Sequence, residues 1–210
     1  MNPKLFLTFF SVKDQLKYVV LAFLIALSIP FIAVILLTHA GIDIVSDKLA
    51  TVNEANKTVQ IHDPATGEVV KELQITAAWP TTGVVTLEFG QNDLPYQPLH
   101  TGIDIASPNA QVGTPVTAFM PGKVIYAGEI WWGYGKHIII DHGNNITSLY
   151  GHLDKIFVYP GEEIKDDKQV IGLMGSTGWS TGPHLHFEIR VFGIPVNPRT
   201  FLQGNPQSGT

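Results

Sequence analysis

Sixteen of the chain's 20 glycines fall between Gly83 and Gly193, usually a short strand's length apart. The pieces between them are β-rich: Val84-Val85-Thr86-Leu87, Lys123-Val124-Ile125-Tyr126, His137 to Ile140, and Ile146 to Leu149. From about Ala78 to Leu202 no window keeps a helical apolar period for three turns. Short strands punctuated by turns predict an all-β domain over this region. Two segments within it look alike, VGTPVTAFMPGKVIYAG and PGEEIKDDKQVIGLMG. Both place Gly or Pro-Gly ahead of a Val/Ile pair that closes on Ala-Gly or Met-Gly, the mark of a quasi-repeated β unit.

The N-terminus has a different texture. From Tyr18 to Ile42 there is no Asp, Glu, Lys or Arg, and Val19 to Leu37 is apolar except for Ser28 and Pro30. Nineteen helical residues rise roughly 28 Å, about the thickness of a bilayer's hydrocarbon core. Lys4, Lys13 and Lys17 precede the run; Asp43, Asp47, Lys48 and Glu54 follow it. This pattern predicts a single-pass cell-membrane protein with a cytoplasmic N-terminus (1–17), a transmembrane helix (18–40) and an extracytoplasmic remainder. A cleavable signal peptide is the competing reading, since Thr38-His39-Ala40 loosely resembles a small-x-small site, but its apolar core would be shorter.

Residues 41–77 read as a stalk, helical or irregular at first. Val59-Gln60-Ile61, then HDPATG, then Glu68 to Leu73 follows it with the form of a β-hairpin over 59–73. The main domain is then 78–202, with a tail at 203–210.

Cysteine is absent, which excludes disulfides, thiolate nucleophiles and Cys-ligated metals. Thirteen Lys+Arg against 18 Asp+Glu, net −5, argues against a nucleic-acid partner. Any metal must be held by His, Asp or Glu. Three pieces carry such residues: His100-Thr101-Gly102-Ile103-Asp104, Tyr150-Gly151-His152-Leu153, and His184-Leu185-His186-Phe187-Glu188. The last reads as a strand with His184, His186 and Glu188 on one face, so one metal can take either imidazole. In a straight strand His100 and Asp104 would stand about 13 Å apart. Zinc ligand atoms must lie about 3.5 Å from one another, so the chain has to bend, and Gly102 permits the bend. His, Asp and His form a three-ligand set with one position left for water, the layout of a catalytic zinc site. His137 and His142 read as half-buried structural side chains, and His39 and His62 have no evident partner.

These pieces resemble the lysostaphin/LytM-type zinc metallopeptidases, peptidase family M23. The resemblance runs from about Pro80 to Leu202. It covers His100-x-x-x-Asp104, Gly113 to Val116, Pro121 to Val124, Tyr150-x-His152-Leu153, the run from Gly175 to Glu188, and Val196-Asn197-Pro198. It implies a mainly β fold: a small antiparallel β-sheet domain with a peptide groove, of the LytM or duplicated hybrid motif type. It implies one zinc ion per chain held by His100, Asp104 and His186, with His152 and His184 flanking the open position as catalytic groups. The substrate it implies is the peptide of peptidoglycan stems or cross-bridges.

The chain has no HExxH, so the usual Glu base of that metalloprotease type is missing, and the imidazoles of His152 and His184 are the candidates to move protons. Trp131, Trp132, Tyr134 and Trp179 are candidates either for groove walls or for loop clamps and core packing. Glu188 is either paired on the strand surface or in contact with a ligand His. Two rival readings exist. One is a non-catalytic scaffold or activator of other cell-wall hydrolases, or a component of a trans-envelope channel, within an envelope protein complex. The other is a biotinyl- or lipoyl-type carrier, suggested by PGKVIYAGE but lacking the lysine-bearing hairpin tip.

Overall fold

The computed structural model describes residues 12–74, 78–91, 99–107, 109 and 111–206, with side chains throughout except at 12–16, 30–37 and 39. The chain divides into two units between residues 39 and 40. Helix α1 (Val12–Leu49) begins in the first and ends in the second. Its apolar side chains from Tyr18 to Ile29 are exposed. Among the described residues, however, no helix is long and apolar enough to cross a membrane. The expected transmembrane helix over 18–40 is therefore not found there: its second half falls largely on the undescribed side chains of 30–37, while a bilayer span takes about 20 apolar residues. The expected cytoplasmic segment lies mostly outside the described residues too.

In the second unit, residues 41–49 continue the helix, with Ser46 and Leu49 buried. Strands β1 (Ala50–Asn53), β2 (Thr58–His62) and β3 (Val69–Gln74) follow as an antiparallel sheet in the order β1-β2-β3. The β2–β3 turn is set by Asp63, whose carboxylate accepts from Ala65 N and Thr66 N, and by Gly67 at φ +73. Val59 and Ile61 of β2 are fully buried in the hydrophobic core, and Ser46 Oγ accepts from Asn197 N at 2.9 Å.

Eight strands form the main sheet: β4 (Val84–Leu87), β5 (Ile103–Ala106), β7 (Gly122–Glu129), β8 (Lys136–Asp141), β9 (Ile146–Gly151), β11 (Glu163–Ile164), β13 (His184–Val191) and β14 (Ile194–Val196). Their order is β11-β7-β8-β9-β13-β5-β4, with β14 on β13. A smaller sheet, β10-β12-β6, is made from β6 (Pro115–Thr117), β10 (Leu153–Ile156) and β12 (Val170–Met174). All pairings in these two sheets are antiparallel. The two look-alike segments explain how the sheets interlock. The first supplies β6 and β7, the second β11 and β12; β6 pairs with β12 in the small sheet, and β7 with β11 in the large one.

Period-2 alternation places the site. On β13, Leu185, Phe187, Ile189 and Val191 enter the core with Ile103, Ile105, Ile138, Ile140 and Tyr150. The alternate positions, His184, His186, Glu188 and Arg190, therefore face the other way. The core also takes in Val116, Leu153, Ile171 and Met174 of the smaller sheet. The four β13 anchors are at full burial, and each contributes about 1.5–3 kcal/mol, which holds this central strand in one register.

Candidate metal centre

Strand β13 lies between β5 and β9, and the register sets His186 opposite Asp104 on one side and Gly151 on the other. Three separate stretches of sequence thereby meet at one point. His100 arrives from the segment before β5, which passes so close to β13 that a Cβ on Gly102 would stand 2.3 Å from the Phe187 carbonyl oxygen. Gly102 is needed for this close approach; it has no positive φ, so its role is room and not an unusual bend.

His100 Nε2 lies 3.0 Å from Asp104 Oδ1 and 3.0 Å from His186 Nδ1, and His186 Nδ1 lies 2.8 Å from Asp104 Oδ1. All three residues are buried. Their outer partners fix the protons. His100 Nδ1 faces the Glu88 carbonyl at 3.0 Å, which can only accept, so Nδ1 carries the hydrogen and Nε2 a lone pair. His186 Nε2 faces Glu188 Oε1 at 3.0 Å, so the inward Nδ1 likewise carries a lone pair when the ring is neutral. Two imidazole lone pairs and a carboxylate oxygen thus converge with no donor among them. Such a convergence favours a positive charge at its centre: burial alone would lower the His186 imidazole, but Asp104 and Glu188 push it up to about 9, and the three residues can hold a metal ion in place of that proton. Burial alone would raise the Asp104 carboxyl, but His100 and His186 hold it well below the ordinary carboxylate range.

Two further imidazoles border the group. His184 donates from Nδ1 to the Gly182 carbonyl at 2.8 Å, and its Nε2 is 3.5 Å from Asp104 Oδ2. His152 donates from Nδ1 to the Thr177 carbonyl at 2.7 Å; its ring centroid is 4.7 Å from that of His184 and 5.8 Å from that of His186. Each presents an unprotonated Nε2 while neutral. Burial, then the neighbouring His186 and His184, push the His152 imidazole down to about 3. His152 sits at φ +59, a left-handed conformation rare for a non-glycine residue, where β9 passes into β10. A bond from its N–H to the Tyr134 carbonyl, 2.8 Å, and the one to Thr177 hold it there.

All five residues singled out from the sequence, His100, Asp104, His152, His184 and His186, are therefore neighbours in space. Glu188, left between two roles, is wholly buried and bonded to His186. Tyr134, left between groove wall and packing, is half-buried and bonds Glu188. Trp131, Trp132 and Trp179 are exposed, and the rings of Trp132 and Trp179 lie 6.2 Å apart. Arg190, Thr101 and Thr177 escaped the sequence reading. For Arg190 the usable signal was its place two residues after Glu188 on the same strand face. His62, read as partnerless, contacts Thr51 Oγ1 and the Gly67 carbonyl. His39 lies outside the described side chains.

Residues 98–198 match the profile described as peptidase family M23. A mutant form of the catalytic domain of the prophage-encoded M23 protein EnpA from Enterococcus faecalis is 37% identical, with 61% of this chain covering 100% of that one at a TM-score of 0.51. The chain belongs to peptidase family M23. The lysostaphin catalytic domain from Staphylococcus simulans gives a TM-score of 0.55 at 31% identity, covering 62% of this chain and 100% of that one. A mainly β, antiparallel fold of this type is thus shared with enzymes of the family.

Among relatives, the DD-carboxypeptidase/endopeptidase Mpg of Neisseria meningitidis is 44% identical over 109 residues, which is 52% of this chain and 24% of that protein. The lipoprotein NlpD/LppB homolog of Pseudomonas aeruginosa is 42% identical over 125 residues, 60% of this chain and 39% of that one. The murein hydrolase activator NlpD of Escherichia coli is 42% identical over 127 residues, 60% and 31%. The chain thus covers well under half the length of these relatives. The lipoprotein names, with the absence of a crossing helix among the described residues, overturn the expectation of a single-pass cell-membrane protein. The apolar run and its flanking charges suggested membrane attachment, but such a pattern does not distinguish one mode of association from another.

Proposed function

We propose that this M23 domain is a zinc metalloendopeptidase that hydrolyses peptide bonds in peptidoglycan stems or cross-bridges. The observation that carries the reading is the convergence of His100 Nε2, Asp104 Oδ1 and His186 Nδ1, while the outer ring nitrogens are engaged by Glu88 and Glu188. Three ligands of this kind leave a fourth position open, as hydrolytic zinc sites do. The chemistry such an ion supplies is Lewis acidity toward a carbonyl and a water molecule.

The chain's own residues supply the proton handling. His152 and His184 keep their Nδ1 hydrogens engaged with backbone carbonyls, so both rings turn an Nε2 lone pair to the site. One takes a proton as the water oxygen attacks the peptide carbonyl carbon. As the C–N bond breaks, a proton from this imidazole pair passes to the leaving amine. Carbonyl anchoring fixes both tautomers, so neither ring has to reorganise between the steps. Exposed Trp132 and Trp179, on loops tied to each other by Trp179 N donating to Gly133 O, offer apolar faces to a glycan or peptide.

The name of the NlpD relative favours one other reading, in which the domain activates another wall hydrolase without cutting bonds itself. A complete ligand set argues for hydrolysis. Mass spectrometry of muropeptides released from purified wall by the full chain decides between them. New amine ends that vanish with chelator and with His186→Ala support the peptidase; release only when a second hydrolase is added supports the activator.

A further inference from the structure

Glu188 is a fully buried carboxylate two residues beyond His186, and five contacts saturate it. Oε1 accepts from His186 Nε2 at 3.0 Å, Thr101 Oγ1 at 2.5 Å and Tyr134 Oη at 2.8 Å. Oε2 accepts from Arg190 Nε at 2.7 Å and pairs with its Nη2 at 2.6 Å. A charge taken wholly out of water is costly, and one guanidinium on the same strand is enough to neutralise it. The three further donors on Oε1 do more than neutralise: they aim that oxygen at His186.

The donors come from the parts of the fold that build the rest of the site. Thr101 adjoins His100. Tyr134 packs its ring 5.5 Å from that of His186, accepts from Arg190 Nη2 at 3.1 Å on its hydroxyl, and accepts the His152 N–H on its carbonyl. A single carboxylate therefore connects one ligand to the segment bearing a second and to the backbone that holds His152.

We propose, resting on the zinc reading of the site, that Glu188 is a positioning residue for the metal, with Tyr134 as its brace. Glu188 holds the His186 proton on Nε2, so that Nδ1 is the nitrogen left to face the ion. Tyr134 keeps the carboxylate oriented and carries the same constraint to His152. Outer-sphere carboxylates of this kind alter metal affinity about 10–100-fold when changed.

The test measures zinc affinity on the full chain by competition with a chromophoric chelator, alongside the cobalt(II) absorption spectrum and a circular-dichroism melt. Glu188→Gln keeps the shape and an acceptor oxygen but loses the charge; it should weaken zinc about 10–100-fold and alter the cobalt spectrum. Tyr134→Phe keeps the packed ring and serves if the glutamine variant does not fold; it should weaken zinc up to about tenfold. Folded variants with wild-type zinc affinity and cobalt spectrum would overturn the positioning role while leaving the peptidase reading intact. A wild-type chain that binds no zinc would overturn both. Loss of melting temperature in Tyr134→Phe with unchanged zinc affinity would make the network purely structural, which also overturns the proposal.

Discussion

Replacing Gly102 with alanine should damage stability and metal binding together. The added Cβ would stand 2.3 Å from the Phe187 carbonyl oxygen, 2.9 Å from its carbon and 2.9 Å from Glu188 Cγ. Carbon and carbonyl oxygen approach comfortably only to about 3.3 Å, so one of the two chain segments has to retreat by about 1 Å. Strand β13 cannot move freely, because β9 beside it and the core below hold it in place. The segment carrying His100 and Asp104 must therefore give. Overpacking of this kind costs about 1–3 kcal/mol, and ligand sets lose function beyond about 0.5 Å of displacement. Urea denaturation of the metal-free chain should show that loss, and chelator competition should show zinc weakened at least about tenfold. Gly143→Ala is the control: its φ of +77 costs about 1 kcal/mol, but nothing lies within 4 Å and it is remote from the ligands in the pairing register. Equal zinc affinity for Gly102→Ala and wild type would refute the close-approach argument.

Other perturbations separate the parts of the site from the scaffold. His152→Ala and His184→Ala should each lower wall hydrolysis about 10²–10⁴-fold while zinc content, measured by elemental analysis, stays near wild type. Phe187→Ala, on the core side of the same strand, should destabilise the fold by about 3–5 kcal/mol in a denaturant titration. Burial is the chief cause that pushes the His142 imidazole below 6.5, opposed by the Pro121 carbonyl and Asp141. The folded chain thus binds fewer protons there than the unfolded one, and the stability this site contributes is lost as pH falls through 6.5. Between about pH 7 and 5 the urea midpoint should fall less steeply in His142→Gln than in wild type.

Sequence patterning reached the site further than it reached the N-terminal region. Alternation in His184 to Glu188 fixes which side chains share a face whatever the neighbours are, so that side of the site could be read in one dimension. Strand order could not: only the pairing of β13 with both β5 and β9 puts His186 opposite Asp104 and beside Gly151. The protonation of the site was equally hidden, because it depends on the Glu88 carbonyl and on Glu188, whose partners Thr101 and Tyr134 lie 87 and 54 residues away. Residues 41–58 show the opposite case. They carry weak periodicity, and tertiary burial of Leu49, Ala50 and Val59 decides that helix gives way to a three-stranded sheet.

Peptidase chemistry in this chain depends on a cation shared by two imidazoles and a carboxylate. Zinc titration of the metal-free full chain at neutral pH tests this most directly. Wild type should bind one equivalent, and none should be retained at that affinity in His100→Ala, Asp104→Ala or His186→Ala. Undiminished binding in the His186→Ala chain would contradict the shared-cation site.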